Sequence, residues 1–244
     1  DIPIFYFPYL SHPDTSVERR SGLLPPAFSD FKNLGAGASI PYFWAISDDK
    51  NFVIKPKLFV SENPLITGEY HQALKNSNFF ADFGFTEGYK KTSETKKSGN
   101  KSHFFSKFTK DFLGKFDSEN NLNIKTQRVS NDKYLKLYKI KTELVDYEED
   151  TLENTFNFTH TKDDIFFNLN TSVYETLKEE YNDKYEYILP DITIDQNILS
   201  NKNFGNVDLQ TNYKVHNYDT NRFKNFFVND FEWKSNDIIT NSFI

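Results

Sequence analysis

Ile2 to Ile46 reads IPIFYFPYLSHPDTSVERRSGLLPPAFSDFKNLGAGASIPYFWAI and holds six of the chain's nine prolines. The residues between those prolines are aromatic and aliphatic, the composition of strands. Proline has no N–H to give a β-ladder and is normally kept out of paired strands. A chain with Pro26 and Pro41 inside two consecutive apolar segments either has no sheet there or holds a weak one.

Outward from that stretch, the dominant signal is a period of two. Phe52, Ile54, Pro56, Leu58 and Val60 share one face of a strand, with Lys55 and Lys57 on the other. Phe79, Ala81, Phe83 and Phe85 alternate with Asp82, Gly84 and Thr86, and Leu122, Ile124 and Thr126 with Asn123, Lys125 and Gln127. The pattern returns in Ile188, Pro190, Ile192 and Ile194, and again in Val207, Leu209, Thr211, Tyr213 and Val215. Nothing at helical spacing persists, so the chain reads as all-β.

Turn residues cut it into about twelve strands of roughly 8–12 residues, the length a tilted strand needs to cross a bilayer. They fall near 21–29, 35–46, 51–60, 64–74, 78–89, 103–113, 121–129, 154–161, 165–174, 185–195, 205–218 and 223–235, with a thirteenth starting at Ile238. Even-numbered strands are followed mostly by short polar links. The fifth, seventh and ninth are followed by long ones, Lys90–Ser102, Ser130–Glu153 and Glu175–Lys184. In an up-and-down meander alternate links lie at the same end, so the long loops collect on one side. That sorting is the habit of outer-membrane barrels. A soluble sandwich or solenoid also alternates, but twelve successive strands with one wet face suit a wall around water better.

The bulk numbers fit. The 244 residues carry a formal charge of −6 and no cysteine, which removes disulfide and thiolate chemistry. The mean hydropathy of −0.66 is compatible with a barrel that alternates lipid-facing and water-facing residues. With no methionine and no basic-then-apolar leader, the chain reads as a mature part or internal piece of a longer protein. The mild acidity and the lack of a dense basic stripe argue against nucleic acid.

Catalytic signals are sparse. His12, His71, His103, His160 and His216 are scattered, with no acidic neighbour at ligand spacing, so no metal, cofactor or catalytic group is expected. Asp163–Asp164 and Glu148–Asp150 sit in links, where solvation accounts for them. Residues 90–103 carry Lys90, Lys91, Lys96, Lys97 and Lys101 against Glu94. The economical reading is a solvated loop, in which charge reversal at Lys96 and Lys97 leaves function intact; the other is a loop that meets the phosphates of lipid A.

Three groups of residues carry a resemblance. They are Ile2–Tyr9 with Ser11, His12, Pro13 and Asp14; Arg19 and Arg20 through Leu24; and Pro26 with Ile40–Ile46. This region resembles the LPS-assembly protein LptD family, also called organic solvent tolerance protein OstA, in its barrel region and with an alphaproteobacterial look. Arg128–Leu135 and Tyr187–Pro190 match more loosely, and the rest matches in spacing.

The resemblance implies a periplasmic β-jellyroll joined to a barrel of about 26 strands, near the upper end of the bacterial range. Residues 1–20 would then be the last jellyroll strand and a hinge at Ser11, His12, Pro13, Asp14, Arg19 and Arg20. Residues 21–244 would be an antiparallel meander, the N-terminal half of an outer-membrane barrel. The N-terminal residues would face the periplasm. Lipopolysaccharide would be the cargo. An LptE-like lipoprotein plug, an LptA-like periplasmic bridge, the barrel-assembly machinery and outer-membrane lipids would be the partners. The family's lateral-gate prolines match Pro26 and Pro41, and here Pro25 adds a second proline beside the first. Antiparallel partners have a constant index sum, and 26 + 41 = 67 with a turn centred between Asn33 and Leu34 sets the two opposite or nearly opposite each other. The rival readings are a general porin or surface-binding β-protein without dedicated lipid cargo, and a barrel-embedded lipid A hydrolase.

Overall fold

A computed structural model describes residues 19–94, 96–178, 184–218 and 222–235. The expected jellyroll strand and the strand expected from Ile238 lie outside those residues. The first two expected strands are each broken at proline. Strand one becomes β1 (Gly22–Leu23) and β2 (Ala27–Phe31), and strand two becomes β3 (Gly35–Ser39) and β4 (Tyr42–Ser47). The other ten follow as β5 (Lys50–Phe59), β6 (Leu65–Leu74), β7 (Ser77–Gly88), β8 (Ser98–Leu113), β9 (Glu119–Val129), β10 (Thr151–Lys162), β11 (Ile165–Thr176), β12 (Tyr185–Asn201), β13 (Gly205–Tyr218) and β14 (Arg222–Lys234). A short α-helix, α1 (Tyr134–Tyr138), lies in the link between β9 and β10, and a 3-10 turn, Lys115–Asp117, in the link between β8 and β9.

All fourteen strands belong to one antiparallel meander. From β4 onward each strand pairs with the next, while β1 pairs with β4 and β3 with both β2 and β5. The links after β7, β9 and β11 share one end with the β2–β3 turn. The links after β4, β6, β8, β10 and β12 share the other.

Directly opposed residues in a ladder share a face, so the register shows what each face is made of. Across β9 to β14 one row runs Leu122, Phe158, Leu169, Ile192, Tyr213, Phe227. The next row, on the other face, runs Asn123, Asn157, Asn170, Asp191, Lys214, Phe226. The apolar face continues through Ile66–Phe85 and Phe83–Phe104, and the polar one through Glu69–Asp82 and Lys55–Thr67. Many apolar-face side chains are exposed, among them Trp44, Leu58, Phe83 and Trp233. Such a surface suits lipid rather than water.

One expected face is corrected. Ile188 was expected to share a face with Ile192 and Ile194, but it pairs with Ser172, whose partner in β10 is Thr155 of the polar face. A register shift between Ile188 and Asp191 moves the strand by one face.

The buried core lies on the polar face at the long-loop end. There the segment 130–150 folds back onto the wall, and Tyr134, Leu135, Tyr138, Ile140 and Val145 pack against Phe59, Leu65, Phe105, Val129 and Leu152. Burying a Leu or Phe side chain contributes roughly 1.5–3 kcal/mol, enough to hold a link against the sheet that composition alone would leave in solvent.

Candidate functional site: a proline-broken strand pair at an open edge

The ladder between strands one and two changes register at the prolines. From Ala27↔Ser39 to Phe31↔Gly35 the indices sum to 66, whereas Gly22↔Phe43 and Leu23↔Tyr42 sum to 65. The turn is therefore centred on Asn33, half a residue from the expected point. Pro26 and Pro41 are near neighbours across the strands, not direct partners.

The donors explain the shift. Val60 N–H donates to the Ala36 carbonyl at 3.0 Å. Even residues of strand two thus face β5, and odd ones, Pro41 included, face strand one. Had the sum stayed at 66, Pro41 would have faced Pro25, a pair without a single N–H. Sliding by one residue brings Leu24 opposite, and its N–H donates to the Pro41 carbonyl at 2.8 Å. Pro25 and Pro26 together then oppose Ile40 alone, the two-against-one count of a β-bulge.

The extra residue also keeps the faces in step. Leu23 and Phe28 are five residues apart, and uninterrupted alternation would put them on opposite sides. With the bulge, Leu23 pairs with Tyr42 and Phe28 with Ala38, both on the apolar face. A further proline, Pro56 of β5, sits where the β3–β5 and β4–β5 registers, both summing to 96, place it opposite Ile40. The unpaired interval between β3 and β4 is thus flanked by proline on both sides.

Side chains add little at this corner. The β3 part of strand two offers only Gly35, Ala36, Gly37, Ala38 and Ser39 to its neighbours. A Cβ on Gly37 would come within 3.0 Å of the Phe59 ring, so the small residue is required where that ring lies against the strand. Cross-strand side-chain pairs supply much of a sheet's stability, and along β3 they are small. Strand one has no partner on its outer side among the described residues, and β14 is likewise paired on one side only.

The expected hinge is only partly within view. Ser11, His12, Pro13 and Asp14 lie outside the described residues. Arg19 and Arg20 are exposed at the short-link end, where Arg19 makes a long 3.5 Å contact with the Asp48 carbonyl. Ser21 accepts the Ala45 N–H on its hydroxyl at 2.9 Å and ties the start of strand one to β4.

A second group was missed by sequence reasoning. On the polar face Asp82 of β7 hydrogen-bonds His103 Nε2, and Tyr134 of α1 meets His103 Nδ1 at 3.0 Å. All three are buried. A Cβ at residue 84 would lie 2.5 Å from the His103 ring, so Gly84 makes the space. Burial also pushes the Tyr134 phenol above its ordinary value, which keeps it a neutral hydrogen-bonding group. Gln127 fastens the same segment, donating to the Leu144 carbonyl at 2.7 Å and accepting from Glu153 N–H at 2.6 Å. The segment also reaches the edge hairpin. Tyr138 lies against Phe59, Phe59 meets Phe31 edge-on at 5.6 Å, and the Lys139 ammonium sits 5.4 Å from the Phe31 ring centre.

No protein-family model matches the chain. It is similar to curated proteins named LPS-assembly protein LptD. With that of Legionella pneumophila it is 25% identical over 183 residues, 72% of this chain and 22% of the relative. With that of Nitrosococcus oceani it is 35% identical over 79 residues, 32% of this chain and 10% of the relative. With that of Burkholderia ambifaria it is 44% identical over 57 residues, 23% of this chain and 7% of the relative. The chain is thus LptD-like, and it spans between about a fourteenth and a fifth of the length of these relatives.

Proposed function

We propose that this chain forms the first strands of an outer-membrane barrel that delivers lipopolysaccharide to the cell surface, the lipid leaving sideways past strand one. Residues 1–20 would be the end of a periplasmic jellyroll and its hinge, and residues 21–244 the first part of the barrel, the N-terminal side facing the periplasm. The names of the relatives support the cargo. One observation carries the gate: a two-against-one proline bulge in a strand that, among the described residues, has a neighbour on one side only.

The magnitudes suit a gate. A net backbone hydrogen bond is worth about 0.5–1.5 kcal/mol. Donors missing at Pro25, Pro26 and Pro41 together weaken the corner by a few kcal/mol, which moves an opening equilibrium by one to two powers of ten or more. In this reading the apolar face meets outer-membrane lipids and the polar face meets an LptE-like plug. An LptA-like bridge delivers cargo through the jellyroll, and the barrel-assembly machinery inserts the whole. The work is transport down a gradient supplied elsewhere, without a catalytic residue or cofactor.

The porin reading draws on one observation, the segment 130–150 folded over the polar face. It gives no role to the proline bulge. Replacing Pro26 and Pro41 by alanine separates the two. Under the gate reading the double variant slows the appearance of lipopolysaccharide at the cell surface. Unchanged export at normal protein level overturns it.

A further inference from the structure

We propose that a pocket at the long-loop end, walled by Lys97, Lys101, Lys133 and Lys136, binds a phosphate monoester on a sugar. The pocket has a volume of about 850 Å³ and is also lined by Asn33, Tyr89, Glu94, Asn131 and Leu137. That size suits a phosphorylated sugar, since small-molecule sites run roughly 300–1,000 Å³. Four lysines face one carboxylate, Glu94, within the lining.

Lys101 is the strongest pointer. Its side chain belongs to the polar face of β8, and the residue is only 8% exposed. Its ammonium donates to the Lys97 carbonyl at 3.0 Å and lies 5.9 Å from the centre of the Tyr89 ring. It makes no ion pair among the described residues, whereas Lys136 pairs with Asp150 and Lys96 lies 3.7 Å from Glu62. A buried ammonium held by one carbonyl and an aromatic ring has lost most of its hydration without gaining a counter-charge. An anion entering the pocket supplies it. Phosphate is the suitable one, because three of its oxygens can be shared among several lysine point charges.

The position gives the pocket a use. Asn33 belongs to the turn joining strands one and two, and the Lys96 ammonium donates to its carbonyl at 3.3 Å. The site therefore borders the loop end of the edge hairpin. Resting on the proposed export function, the pocket would hold the phosphorylated sugar head of a lipopolysaccharide as it clears that edge.

The test uses the full-length protein purified in non-ionic detergent. Thermal unfolding is followed against increasing inorganic phosphate, lipid A in mixed micelles, and lipid A stripped of its phosphates. The midpoint should rise with phosphate-bearing lipid A and not with the stripped form. Lys97→Gln and Lys101→Met should each weaken the apparent affinity by at least about tenfold. Without anion, Lys101→Met should unfold no earlier than the parent, since it removes an unpaired buried charge. Inorganic phosphate binding as tightly as lipid A keeps the phosphate site and assigns it to the free ion. Equal response to both forms of lipid A overturns the proposal, as does an earlier-unfolding Lys101→Met with unchanged affinity. Binding is read without export, so a negative result leaves the gate reading to stand or fall on the Pro26 and Pro41 variants.

Discussion

Leu24 gives its backbone N–H to the carbonyl of Pro41 at 2.8 Å, and Pro41 has no N–H to return. The half-made pair fixes where one substitution acts most cleanly. Pro41→Ala restores the missing donor opposite Leu24 and should tighten the corner by about 0.5–1.5 kcal/mol. Pro26→Ala lies inside the bulge and should do less. Hydrogen exchange at the Leu24 and Ala27 amides should slow more in the first variant than in the second.

Phe28 and Ala38 face each other in the part of the hairpin beyond the bulge. The odd pairs there exchange the ladder bonds, so 28 and 38 form the closer, non-hydrogen-bonded kind of pair, which a disulfide can bridge. The chain has no cysteine of its own. If strand one swings from strand two, Phe28→Cys with Ala38→Cys should slow lipopolysaccharide export until reductant is added. A control pair at Thr109 and Asn123, opposed between β8 and β9, should not. Full export by the oxidised 28–38 variant would confine the motion to the outer edge.

His103→Ala leaves Asp82 buried without its partner. Leaving a buried carboxyl without its hydrogen-bond partner costs roughly 1–3 kcal/mol or more. Tyr134→Phe removes one hydrogen bond and should cost about 1 kcal/mol. Urea unfolding in detergent should rank them in that order; equal midpoints would show that the Asp82–His103 contact contributes no more than the tyrosine.

Gln127→Ala removes the bonds to Leu144 and Glu153 together, a loss of about 1–3 kcal/mol from the segment's attachment. Trypsin should then cut after Lys141 faster than in the parent protein. An unchanged rate would mean that the aromatic packing alone holds the segment.

The same segment should respond to acid. Lys136 beside Asp150, and Lys141 beside Asp146, hold those carboxyls below the ordinary aspartate value of 3.8. A depressed carboxyl stabilises the folded form above its unfolded pKa and loses that contribution as pH falls through the folded one. Protection of 130–150 from hydrogen exchange should hold at neutral pH and fall only below about pH 4. Loss of protection between pH 5 and 7 would point to other groups.

The strands were readable because one face is mainly apolar and the other mainly polar, and that alternation runs through most strands from Phe52 to Val215, with a break at Ile188. The side of the long loops followed from counting links. The one-residue slip at Pro25–Pro26 was not readable, because an index sum needs the turn centre to within half a residue. Asp82 and His103 lie on strands joined by a long link, so their pairing depends on a register that local sequence does not set. The inward fold of 130–150 left one sign, Tyr134 and Tyr138 one helical turn apart beside Leu135.

The bulge at Pro25 and Pro26 separates two properties usually spoken of together, the identity of a residue and the number of residues. Substitution at either position alters hydrogen bonding but leaves Leu23 and Phe28 on the apolar face. Deletion of one residue would turn Leu23 or Phe28 towards the polar face and send its neighbours to the apolar one. This corner should therefore accept many side chains in exchange for its prolines, yet tolerate no change in length.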